Sequence, residues 1–106
     1  GNGSSSRDYT YITDTVAGVI ACTEQEFGYE IINLGESETV ELNRLIELLE
    51  TDFKIKADII HQPEQPGDVP ITYANIEKAQ RLLGYHPKTK IEDGIPKFVE
   101  WFIKQK

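Results

Sequence analysis

The sequence predicts an α/β fold of about four helices with two or three short strands in one small layered unit, and three observations point to it. Residues Tyr29–Leu34 (YEIINL) form a compact run rich in branched apolar side chains that ends at Gly35, as a buried strand before a turn does. Val40, Leu42, Leu45, Ile46, Leu48 and Leu49 then recur at helical spacing with Glu41, Glu47 and Glu50 opposite them, the pattern of an amphipathic helix. Lys56–His61 (KADIIH) alternates enough for another short strand, so the order strand, helix, strand favours a parallel crossover.

The remaining elements follow along the chain. Gly1–Ser6 (GNGSSS) has the composition of a flexible coil, and Asp8–Ile12 (DYTYI) is a short extended feeder. Thr13 is placed to cap a first helix running to about Glu24, with Asp14 near its positive end. Val16, Val19, Ile20 and Thr23 form that helix's expected inward stripe, and Cys22 its buried thiol. Ser37 or Thr39 is expected to cap the second helix. Residues 62–70 (QPEQPGDVP) pack prolines and a glycine into a stiff loop without regular hydrogen bonding. Asn75 caps a short third helix carrying Ile76, Ala79, Leu82 and Leu83, which Gly84 ends before Pro87. Thr89–Glu92 (TKIE) reads as a capping box for a last helix whose core stripe is Ile91, Ile95, Phe98, Val99 and Phe102.

Composition narrows the function. A chain of 106 residues with 39% hydrophobic and 27% charged side chains suits one folded unit or part of a larger one. A net charge of -7 repels a polyanion, and between Glu24 and Asp52 nine acids face the single basic Arg44, so no nucleic-acid partner is expected. The apolar runs fall far short of the roughly 20 residues that span a bilayer, so no membrane partner is expected and the location expected is cytoplasmic. One cysteine makes no internal disulfide, and His61 and His86 stand apart, which argues against a metal site. No serine has a nucleophile-elbow context, and His61 is expected to be a strand residue.

Two segments carry chemistry above this background. Arg7, between the Gly/Ser segment and the extended feeder, offers a planar guanidinium that can clamp a phosphate, with a surface ion pair as the plain alternative. Gln65 and Asp68 lie in the proline-stiffened QPGDVP turn, where an amide and a carboxylate can bond sugar hydroxyls; an ordinary turn is the alternative there.

The order of four segments adds to this: GNGSSSRDYTYITD at 1–14, YEIINLG at 29–35, QPGDVP at 65–70 and LGYHPKT at 83–89, closed by IEDGI and FVEW in the last helix. In that order they resemble the C-terminal third of the extended short-chain dehydrogenase/reductases, the NAD-dependent epimerase/dehydratase group, and are most similar to UDP-glucuronate 4-epimerases. The resemblance covers essentially the whole chain and makes Gly1–Ser6 a native loop. It implies that Arg7 grips the substrate pyrophosphate and that Asp68 approaches the nucleotide ribose. Gln65 stands where related galactose epimerases place a second phosphate-gripping arginine, which implies a weaker contact, and Asn75 stands where an aspartate is common.

The same resemblance implies a UDP-sugar partner, NAD as cofactor of the full-length enzyme, and an N-terminal Rossmann domain outside residues 1–106. The residues four after Tyr9, Tyr11, Tyr29, Tyr73 and Tyr85 are Thr13, Thr15, Asn33, Glu77 and Thr89, so the group's Tyr-x-x-x-Lys pair is not in this chain. The chain alone is therefore expected to be inactive and to bind no cofactor. Without its partner it should expose apolar surface and form a homo-oligomer, with the edge of Glu30–Leu34 as the expected contact. The rival expectation is a free-standing binding or assembly module with the acidic helix faces as partner surface; a dehydratase or decarboxylase of the same group is the other alternative.

Overall fold

A computed structural model describes residues 1–105. The elements are β1 (Ser6–Arg7), α1 (Ile12–Thr23), β2 (Val40–Glu41), α2 (Leu42–Phe53), α3 (Glu77–Leu83) and α4 (Ile91–Lys104). The α/β class stands, but the strands fall where short backbone pairings form rather than where apolar runs lie. β1 and β2 pair antiparallel, Ser6 with Glu41 and Arg7 with Val40, and Ser6 makes a further parallel bridge with Ile71.

Tyr29–Leu34 is not a strand here, because no segment among the described residues pairs with it. Its burial still alternates: Ile32 and Leu34 pack on the small core of Ile76, Ala79 and Tyr85, while Tyr29 and Ile31 stand exposed. Lys56–His61 is also not a strand; it is exposed throughout, so the expected parallel crossover is absent from the described residues.

Helices α2 and α4 pack together, and α1 packs on α3. Phe53 meets Phe102 edge-on at 5.7 Å across the first pair. In the core stripe expected of α4, Val99 is buried, while Phe98 and Phe102 are each partly exposed. The stripe expected of α1 faces the other way: Asp14 and Gly18 are its buried residues, whereas Val16, Val19 and Ile20 are exposed. Close packing at Gly18 explains the choice, since a Cβ there would lie 2.7 Å from Leu34 Cδ1. Cys22 is half-buried rather than buried.

Three expected caps are not used, and at α2 and α4 tertiary partners replace them. Helix α1 begins after Tyr11, with Thr13 already inside it. Helix α2 follows directly from β2, and its first N–H groups, on Leu42 and Asn43, donate to Ser5 O and Gly3 O, both at 2.9 Å, so Ser37 and Thr39 are not needed. Helix α4 has no side-chain cap; the Thr89 N–H donates to Asp14 at 3.0 Å, and Glu92 faces Arg44. The capping box is thus dismantled by partners from α1 and α2. At α3 the expected end holds, Gly84 closing the helix with φ 65°; at its start Ile76 is the N-cap rather than a helical residue, and Asn75, one residue earlier, accepts the Glu77 N–H on Oδ1 at 3.1 Å.

Candidate functional site

The Gly/Ser segment is held in place, not a free coil. Gly3 has φ 85°, and a Cβ on it would lie 2.0 Å from Asn43 Oδ1, so only glycine lets the segment cross the start of α2. From there β1 runs beside β2 on one edge. On the other edge Ser6 N donates to Pro70 O at 2.8 Å and Thr72 N donates to Ser6 O at 3.1 Å. The end of the proline loop is thereby stitched to the strand that carries Arg7.

The loop itself closes as a turn in which Asp68 N donates to Gln65 O at 3.2 Å. Pro66 fixes one central residue, and Gly67, with φ 89°, supplies the left-handed conformation of the next. These constraints bring Arg7 and Asp68 to a shared recess of about 60 Å³ that is also lined by Gly1, Asn2, Glu64 and Val69. Gln65 does not line it. His61, expected in a strand, instead sets its Nδ1 3.3 Å from Gly1 O.

Arg7 Nη1 donates to Ser6 O at 2.8 Å, and among the described residues Arg7 forms no ion pair. A guanidinium has five N–H donors, so further donors remain for an anion. The carboxylates of Asp68 and Glu64 on the same recess suit hydroxyl groups, which can donate to them. The recess therefore combines one anion grip with acceptors for a polyol.

A larger apolar hollow of about 300 Å³ lies elsewhere, between Tyr9–Ile12, Leu45 and the first turns of α4, and holds none of the expected site residues.

Three carboxylates outside the recess have tasks that the sequence did not reveal. Asp8 accepts the N–H groups of Glu36 and Ser37, both at 2.9 Å, and that of Ala74 at 3.1 Å. Asp14, read as a helix-dipole acid, accepts the N–H groups of Lys88 and Thr89 at 2.9 and 3.0 Å. Glu36 is buried beside it, and as a carboxylate finds no donor for either oxygen. Burial, then a hydrogen bond with Asp14 and repulsion by its charge, pushes Glu36 up to about 7. With its proton on, Glu36 donates to Asp14. Burial raises Asp14 too, but the bond from Glu36 and the two backbone donors outweigh it and hold Asp14 below the usual carboxylate range. Gly35 before Glu36 was the available signal: a Cβ there would lie 2.8 Å from Asp8 Oδ2.

Residues 1–98 match the sequence profile of the GDP-mannose 4,6 dehydratase family. The chain belongs to that family. It is 45% identical over 104 residues to an uncharacterized protein of Methanocaldococcus jannaschii, covering 98% of this chain and 32% of that protein. It is 40% identical over 102 residues to a UDP-glucuronate 4-epimerase of Thermodesulfobacterium geofontis, covering 95% of this chain and 31% of that enzyme. Its fold matches the Bacillus cereus UDP-glucuronic acid 4-epimerase in complex with UDP-glucuronic acid and NAD, with a TM-score of 0.89 and 30% identity, over 100% of this chain and 34% of that one. The chain thus spans about a third of the length of these relatives. The resemblance drawn from the four ordered segments is borne out at the level of family and fold.

Proposed function

We propose that this chain is the substrate-holding, C-terminal part of an NAD-dependent nucleotide-sugar epimerase of the UDP-glucuronate 4-epimerase type. The observation that carries the reading is the shared recess: Arg7 and Asp68, sixty-one positions apart in sequence, line one hollow because β1 and residues 70–72 are stitched together. In it Arg7 grips the diphosphate through charge-assisted hydrogen bonds, and Asp68 accepts ribose hydroxyls. Gln65, outside the recess, supplies at most a neutral amide to the same ligand. Holding the diphosphate fixes where the pyranose lies, which is how a binding element contributes to the reaction rate.

The recess of about 60 Å³ takes one polar group and not a whole nucleotide sugar, so under this reading the remainder of a longer protein completes the site. That remainder holds the Rossmann domain, the Tyr-x-x-x-Lys pair and NAD. The residues present here do not fit the dinucleotide: the space beside Gly3 is filled by Asn43, and the N–H groups opening α2 are already bonded to Gly3 and Ser5. NAD supplies the hydride acceptor and donor when bound elsewhere. A cytoplasmic, homo-oligomeric enzyme completes the proposal; no helix among the described residues is long and apolar enough to cross a membrane.

The test is calorimetric titration of UDP-glucuronate into the complete protein, with UDP-galactose as comparator. Arg7→Ala should weaken binding about 10- to 100-fold, the worth of losing charge-assisted hydrogen bonds. Unchanged affinity would reject the assignment.

A further inference from the structure

We propose that Asp8 is a positioning residue for the substrate grip: by accepting the Ala74 N–H it fixes the strand that carries Arg7 to the segment that leaves the Asp68 turn, and by accepting those of Glu36 and Ser37 it anchors both to the turn after Gly35. The inference rests on the function proposed above and extends it to a residue that does not line the recess.

Arg7 lines the recess and also, together with Asp8, a neighbouring hollow bounded by Leu34, Gly35, Thr72 and Ala74; the Asp8 carboxylate there is the meeting point of three parts of the chain. Oδ1 accepts from Glu36 N at 2.9 Å. Oδ2 accepts from Ser37 N at 2.9 Å and from Ala74 N at 3.1 Å. The Thr10 hydroxyl adds a weaker bond at 3.4 Å. Among the described residues Asp8 forms no ion pair, so its carboxylate serves backbone donors and does not neutralise Arg7.

The surroundings are built around these bonds. Gly35 is packed so that a Cβ would lie 2.8 Å from Asp8 Oδ2 and 2.7 Å from Ala74 Cβ. Ser37 holds φ 60°, a conformation costly for a residue with a side chain, and its N–H is one of the three donors. The Gly35 carbonyl is fixed from behind by the buried Tyr85 hydroxyl at 2.8 Å. Two stitches thus join the strand to the exit of the proline loop: Ser6 with Pro70 and Thr72 through the backbone, and Asp8 with Ala74 through a side chain. With the second gone, Arg7 keeps its place in sequence but loses its fixed angle to Asp68.

A double-mutant cycle in the complete protein tests this, read as the dissociation constant for UDP-glucuronate together with KM and kcat. Asp8→Asn is close to isosteric, yet brings an NH2 group against a backbone donor. It should raise the dissociation constant and KM about 5- to 20-fold with kcat changed less than about twofold, corresponding to one or two hydrogen bonds. In the Arg7→Ala background the same change should add less than about twofold, since there is no grip left to misplace. Gly35→Ala, which keeps the Asp8 carboxylate but pushes it and Ala74 apart from the turn, should reproduce both results and serves if Asp8→Asn does not fold.

If Arg7→Ala weakens binding but Asp8→Asn and Gly35→Ala do not, or if their effects multiply with that of Arg7→Ala, Asp8 is not a positioning residue and the proposed function survives. If Arg7→Ala itself leaves binding unchanged, both fall together.

Discussion

At the scale of single residues, the Glu36–Asp14 pair is where this protein departs most from what a solvated acid would do. Glu36 is buried and pushed up to about 7, while Asp14 is held below its ordinary 3.8. A carboxyl whose folded pKa exceeds its unfolded one binds a proton on folding, so it subtracts stability as pH rises from the unfolded value of 4.5 to about 7 and by a constant amount above that. Asp14 acts in the opposite sense, its contribution being present above pH 3.8 and lost as pH falls through its lowered value. The charged groups near Glu36 are Asp8, Asp14 and Lys90, and Glu77 and His86 share its hollow. Glu36→Gln supplies Asp14 with a permanent N–H donor and removes the titration. The Tm of this variant should equal that of the parent near pH 4.5, exceed it increasingly up to pH 7, and stay above it by a fixed margin beyond. A constant offset across pH 4.5–8 would show that Glu36 does not take up a proton on folding.

At the scale of elements, short local signals yielded to longer-range partners wherever the two competed. The caps expected at α2 and α4 lost their roles to distant parts of the chain: Ser5 and Gly3 accept the first N–H groups of α2, and Asp14 takes the Thr89 N–H that Glu92 was expected to hold. Where nothing competed, local rules held, as at Gly84, whose φ of 65° ends α3. Helix α2 ends in the same left-handed conformation, but there the residue is Lys54, with φ 59°. The structure gives no reason for a side chain at that position. Lys54→Gly should therefore stabilise the protein by about 1 kcal/mol, the cost of placing a residue with a Cβ in that region. Urea unfolding would register it as a higher midpoint with an unchanged slope, and a lower midpoint would contradict it.

At the scale of the whole molecule, the chain is spread too thin to be closed on itself. Its accessible surface is 7857 Å², against about 6000 Å² for a compact monomer of 12.0 kDa, and its radius of gyration is 16.3 Å, where about 13 Å is usual. The buried hydrophobic residues are Ile76, Ala79, Tyr85 and Val99, while Ile12, Val16, Val19 and Ile20 of α1 stand exposed together with Tyr29 and Ile31. Of these, Val16, Val19, Ile20, Tyr29 and Ile31 are side chains that the sequence pattern assigned to an interior. Under the proposed function that interior lies against the rest of the longer enzyme. The isolated chain should accordingly self-associate, and Val19→Lys with Ile20→Lys should shift it toward monomer in light scattering. A clean monomer of the parent chain at high concentration would oppose this account.

The sequence by itself determined the fold class, the family, the position of the amphipathic second helix and the stiff turn carrying Asp68. Each of these depends on side-chain periodicity, backbone restriction or the order of short segments along one chain. It also placed Arg7 and Asp68 as candidates, but could not bring them together, because their meeting depends on the pairing of Ser6 with Pro70 and Thr72. Only the tertiary structure decided which apolar faces are covered and which caps are used. It alone gave Asp8, Asp14 and Glu36 their tasks, since a carboxylate in a sequence carries no mark of the backbone N–H groups or neighbouring acid that folding will set against it.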